Sequence, residues 1–139
     1  MKHFYAYTKA WVRFHDDEDV ADIGMTADMV NEINDEIMNV LIDLNRLPNF
    51  QILLSTDKTT GPVPPELLNM GFKEAGIDFA YSRPFAQCLY QTTQAVHLRE
   101  EGETIEQLIR EGKIYTCDRC GFCWDKKRYP GLNVFFLEH

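Results

Sequence analysis

Three cysteines within seven residues, Cys117-Asp118-Arg119-Cys120-Gly121-Phe122-Cys123, constrain this chain more than any other stretch. Cysteines at i and i+3 with a glycine directly after them form a turn that points both sulfurs at one spot. Gly121 supplies the positive φ that such a turn requires. Thiolates gathered at tetrahedral positions suit Zn²⁺ or iron. The fourth cysteine of the chain is Cys88. The candidate metal ligands are therefore Cys117, Cys120, Cys123 and Cys88. Zn²⁺ is the expected ion, with iron or an iron–sulfur cluster as the alternative. Cys123 either swings to the same centre or serves as a small apolar residue of the last strand. Cys88 lies on an apolar stripe, where a free cysteine is often simply buried. His97, on the flank of the same expected helix, is the other candidate for a fourth donor.

Tyr115, Cys117, Cys120, Gly121, Phe122, Trp124 and Asp125 read aromatic-x-Cys-x-x-Cys-Gly-aromatic-x-aromatic-Asp. Over these residues the chain resembles the first knuckle of rubredoxins and zinc ribbons. The resemblance implies half of a tetrahedral site. No second C-x-x-C follows, and Cys123 is an addition to the pattern. The three cysteines also resemble the opening of a bacterial ferredoxin motif, with Lys127 where the fourth cysteine would stand. Thioredoxin-like chemistry needs its C-x-x-C at a helix N-terminus. Here Gly121 and the aromatics after it read as a turn into a strand.

The charge is uneven. The whole chain has a net charge of −8. Residues 1–109 hold 8 Lys/Arg against 18 Asp/Glu, a net of −10, whereas residues 110–131 hold 6 against 3, a net of +3. The acidic body disfavours general nucleic-acid binding. On the basic island, Arg119, Lys126, Lys127 and Arg128 interleave with Phe122 and Trp124. That pattern suits an acidic protein surface, or less readily single-stranded nucleic acid. The plainer reading folds the aromatics over the metal beneath a solvated turn.

The 139 residues, 45% hydrophobic, are enough for one domain with a real core. We expect that domain to span residues 1–136, with 137–139 resembling the start of an expression tag. Lys9 and Arg13 interrupt the apolar opening, so no signal peptide is expected, and no run is long enough to cross a membrane. The expected compartment is the cytoplasm, where clustered cysteines bind metal more often than they pair.

Along the chain, residues 3–14 alternate as a strand, with His3, Tyr5, Tyr7 and Trp11 on one face. That face is either shielding or a binding surface. The carboxylates of residues 16–19 and 22 read as a solvated loop. Thr26 caps a long helix ending near Leu47, where Pro48 stops it. Its apolar repeat of Met29, Val30, Ile33, Ile37, Val40, Leu41 and Leu44 is expected to face the core. Further strands are expected at residues 50–55, 77–81, 114–116 and 133–136. Further helices are expected from Pro65 to about Lys73, from Ser82 to before Gly102 and after Thr104. This order suggests an α+β fold: a mostly antiparallel sheet with two main helices on one face, of the ferredoxin-like split β-α-β kind.

No phosphate-binding glycine loop, nucleophile elbow or His-Glu-x-x-His is present. The leading expectation is thus a small zinc-knuckle protein acting as a binding or regulatory module. The alternatives are a redox or iron–sulfur protein using the same cysteines, and a small-molecule-binding domain in which the cysteines are incidental.

Overall fold

A computed structural model describes residues 2–91 and 104–137. Its centre is a five-stranded sheet in the order β1-β2-β3-β5-β4. The strands are β1 (Phe4–Thr8), β2 (Phe50–Thr56), β3 (Lys73–Ile77), β4 (Phe85–Gln87) and β5 (Asn133–Phe136). Every pairing is parallel. This corrects the expected antiparallel α+β sheet: the fold is α/β. Parallel neighbours need crossover connections rather than hairpins. Helix α1 (Ala27–Asn45) links β1 to β2, and the short α2 (Pro65–Asn69) links β2 to β3. The continuous apolar run Ile52-Leu53-Leu54, fully buried, is what a strand covered on both faces looks like.

The two faces of the sheet carry separate cores. On one, Ile52 and Leu54 pack with Met38 of α1, Trp11, Val63 and Phe72. On the other, Leu53, Ala75 and Val134 pack with Cys88, Phe122, Cys123 and Phe136. The long connection from β4 to β5 covers this second face. It contains helix α3 (Ile105–Arg110) and the one-turn helix α4 (Cys117–Cys120).

Local sequence explains most boundaries. Thr26 Oγ1 accepts from the Met29 amide at 3.3 Å and caps α1. Thr104 and Gln107 form a reciprocal capping box on α3. β1 stops at Thr8, short of the expected 3–14, because the chain turns so that Trp11 is buried and donates its indole N–H to the Ser55 carbonyl at 2.9 Å. Residues 17–23 form a 3-10 helix capped by Asp16 rather than an open acidic loop.

Other boundaries moved. The third strand is 73–77, not 77–81, because Lys73 and Glu74 are buried despite their charge. Residues 114–116 are not a strand; the chain enters α4 directly. Residues 85–87 are a strand where the sequence suggested a helix, and helix begins only at 89. The rest of that expected helix, with Thr92, Ala95, Val96 and His97, lies outside the described residues.

The buried line of α1 also differs from expectation. Ala27, Met38 and Asn45 are buried, and Leu41 and Ile42 pack on the core. Met29, Ile33, Ile37 and Val40 are exposed. The apolar arc of the helix is wider than the strip the sheet can cover. Among the described residues, no helix is long and apolar enough to cross a membrane.

Candidate metal centre

The segment from Thr116 to Tyr129 folds as one compact knuckle. In α4 the Gly121 amide bonds to the Cys117 carbonyl at 3.2 Å, and Gly121 takes φ +72°, the left-handed value its sequence position required. A side chain at Gly121 would press on Asp125 at 3.3 Å. Asp125 is buried, and its carboxylate accepts from the Lys127 and Arg128 amides at 3.2 and 3.0 Å. The Trp124 indole N–H donates to the Cys117 carbonyl at 2.8 Å. The turn is therefore held by its own backbone, its glycine and its aspartate.

All four cysteines line one partly open cavity of about 30 Å³. Tyr7, Tyr90, Gly121, Phe122, Trp124, Val134 and Phe136 complete its wall. Cys117 is exposed, Cys120 is buried, and Cys88 and Cys123 are half-buried; none is in a disulfide. Cys88 follows directly on β4 and reaches the cavity from the sheet, not from the stripe of a helix. Among the described residues, no group of three or more His, Cys, Asp or Glu side chains is arranged so as to hold a metal ion. The sulfurs converge on one space without being closed around a point.

From β1, Tyr7 lines this cavity, while His3 and Tyr5 line an adjoining hollow with Cys117 and Trp124. The Tyr7 hydroxyl lies 3.3 Å from Cys123 Sγ. Tyr5 is directed at Cys117; burial first, and then the Cys117 sulfur, raise its phenol to about 12. His3 stacks on Trp124, with ring centroids 4.8 Å apart. The alternation read in the sequence had put His3, Tyr5 and Tyr7 on one face. Parallel pairing beside β2 brings that face under the cysteines.

Burial pushes the Cys123 thiol up to about 11, while the Tyr7 hydrogen bond pulls against that rise. Burial also raises the Cys88 thiol. Both shifts run opposite to the activation that a redox nucleophile needs. Lys73, fully buried, donates to the Phe122 carbonyl at 2.8 Å. Burial lowers its ammonium to about 8, against the attraction of Cys123 and Asp125. A cation thus sits beside the sulfurs inside the protein, a residue that the sequence pattern did not single out.

The basic island is tied down by its own chemistry. Lys126 donates to the Asn45 carbonyl and, at 3.0 Å, to the Leu47 carbonyl. These are carbonyls at the C-terminal end of α1, where a cation is favoured. Arg119 stacks over Tyr115 at 4.5 Å. Arg128 stacks over Tyr129 at 5.0 Å and donates to its hydroxyl at 2.8 Å. Phe122 meets Tyr129 edge-on at 4.9 Å. Phe122 and Trp124 face inward, while Lys127 stays exposed.

A second, open pocket of about 330 Å³ shares Tyr7 and Phe136 with the cysteine cavity. Ser55, Ala75 and Ile77 complete it. It opens near the carboxyl ends of β2, β3 and β5. The chain matches no family model, no curated protein and no solved structure.

Proposed function

We propose that Cys88, Cys117, Cys120 and Cys123 bind one soft metal ion, Zn²⁺ in the first place, and that the ion fastens the basic C-terminal knuckle to the sheet. The single observation that supports this is the convergence of all four cysteines on one cavity. A space of about 30 Å³ has room for one ion. The donor set also fits: thiols raised by burial stay protonated and inert until a metal displaces their protons. Lys73 then supplies a buried positive charge beside a centre that four thiolates leave negative. With all four coordination positions taken by cysteine, the ion supplies folding energy and no open site for chemistry. The protein is then a small metal-stapled binding or regulatory module, with Lys127, Arg119 and Arg128 at the surface of its basic end.

Elemental analysis of protein purified without chelator tests this. One zinc per chain is expected, falling to a small fraction in Cys120→Ser and in Cys88→Ser. Metal-free wild type with four freely alkylated thiols would overturn it.

A second reading keeps the notion of a small-molecule domain. The open pocket over Tyr7, Ser55 and Ile77 supports it. Its mark would be chemical-shift changes confined to those residues on adding a ligand, with metal content unaffected.

A further inference from the structure

Solvent reaches the four cysteines unequally. Cys120 is buried, Cys88 and Cys123 are half-buried, and Cys117 is exposed. Cys117 also borders two spaces at once. One is the cysteine cavity. The other is an open hollow of about 420 Å³ that it shares with His3, Tyr5, Asp118 and Trp124. An ion held by the four sulfurs therefore leaves one of them, Cys117, in reach of a small solute.

The nearest partner for that sulfur is set by the backbone. Cys117 and Cys120 are the first and last residues of the one-turn helix α4. The Cys120 amide bonds to the Thr116 carbonyl at 3.0 Å and the Gly121 amide to the Cys117 carbonyl at 3.2 Å, so the turn that joins them is helical. In such a turn, Cα atoms three residues apart lie about 5 Å from one another. That is inside the span of about 4.4–6.8 Å that a disulfide bridges. Cys123 stands beyond the left-handed Gly121, where the helix has ended, and its sulfur rests on the Tyr7 hydroxyl. Cys88 comes from the sheet.

We propose that Cys117 is an oxidation site for hydrogen peroxide, and that its oxidation ends in a Cys117–Cys120 disulfide and loss of the metal ion. This rests on the metal reading above. A thiol that coordinates zinc is deprotonated, so the exposed sulfur is already the thiolate that peroxide chemistry needs. The Cys117 sulfur attacks one peroxide oxygen. The O–O bond breaks, the sulfur gives up two electrons and becomes a sulfenic acid, and the departing hydroxide takes a proton from solvent. The Cys120 thiolate then attacks the Cys117 sulfur. The S–S bond forms, the S–O bond breaks, and the second hydroxide also leaves as water. Two thiolates, one hydrogen peroxide and two protons thus become one disulfide and two waters. Only Cys88 and Cys123 remain to hold the ion, which departs. The knuckle loses its fastening to the sheet, and the basic end becomes responsive to oxidant.

Zinc-loaded full chain treated with a single equivalent of hydrogen peroxide tests this. Bound zinc is measured after desalting, and disulfides are mapped by fragmentation of the linked tryptic peptides. One zinc should be lost for each Cys117–Cys120 bond formed, while Cys88 and Cys123 stay open to alkylation. In a parallel sample, a 1,3-diketone that traps sulfenic acid should label Cys117 and leave the other cysteines unlabelled. A phosphine reductant with added zinc should restore the bound ion. Zinc retained under peroxide, a first disulfide between any other pair, or a trap carried by another cysteine would each overturn the inference and leave the metal reading standing. A chain that holds no zinc before oxidation would overturn both.

Discussion

The Tyr7 hydroxyl and the Cys123 sulfur meet at 3.3 Å across 116 residues of sequence. This contact joins the first strand to the last cysteine of the knuckle. It makes the aromatic face of β1 part of the candidate centre. Tyr7→Phe keeps the ring and removes only the hydroxyl. In metal-free protein the hydrogen bond lowers the Cys123 pKa against the rise caused by burial. Its loss should push that pKa higher still. Alkylation followed against pH should show Cys123 reacting more slowly in the variant at pH 9–10, with Cys117 little changed.

Lys126 fastens the knuckle to the end of α1 through the Asn45 and Leu47 carbonyls. Lys126→Met keeps the stem and removes the donors. Charged hydrogen bonds of this kind contribute about 1.5–3 kcal/mol each at most. We expect urea unfolding to show a loss of about 2 kcal/mol. Lys127→Met, at an exposed position, should change stability by less than about 0.5 kcal/mol.

The orientation of α1 yields a paired test. Met38 is buried and Ile33 is not. Met38→Ala should cost about 2–5 kcal/mol. Ile33→Ala should cost about 0.5 kcal/mol or less. Equal losses would mean that the helix is turned on its axis.

Glu74 is fully buried, and burial raises its carboxyl above the ordinary 4.5. The folded state therefore holds this proton to higher pH than the unfolded state does. Its contribution is complete below pH 4.5 and declines as pH rises from there through the raised folded value. Glu74→Gln should flatten that decline and be relatively more stable than wild type at neutral pH. Thermal melts from pH 4 to 8 would show the two curves separating as pH increases.

Much of this architecture is legible in the chain, and the failures have physical causes. The Thr26 and Thr104 caps, the Gly121 turn and the strand at 133–136 follow from local chemistry, and each is found. The alternation of β1, α1, β2, α2 and a third strand is readable, whereas β4 falls inside an expected helix and the expected strand at 114–116 is absent. Strands alternating with helices, and the unbroken Ile52-Leu53-Leu54, are signs of a parallel sheet. Lys73 and Glu74 hid β3, since the Phe122 carbonyl that Lys73 reaches lies 49 residues away and the Ser82 amide that Glu74 accepts from lies in the next loop. The face of α1 was misread because its apolar arc exceeds what the sheet covers. Cys88 could be listed as a ligand but not placed. Only the parallel β4–β5 pairing carries it to the knuckle.

X-ray absorption at the zinc edge of zinc-loaded protein tests the central claim most directly. The account predicts a first shell of four sulfurs at about 2.3 Å, becoming three sulfurs and one lighter atom in Cys88→Ser. A wild-type shell with an oxygen or nitrogen in place of one sulfur, or one that Cys88→Ser leaves unchanged, would contradict it.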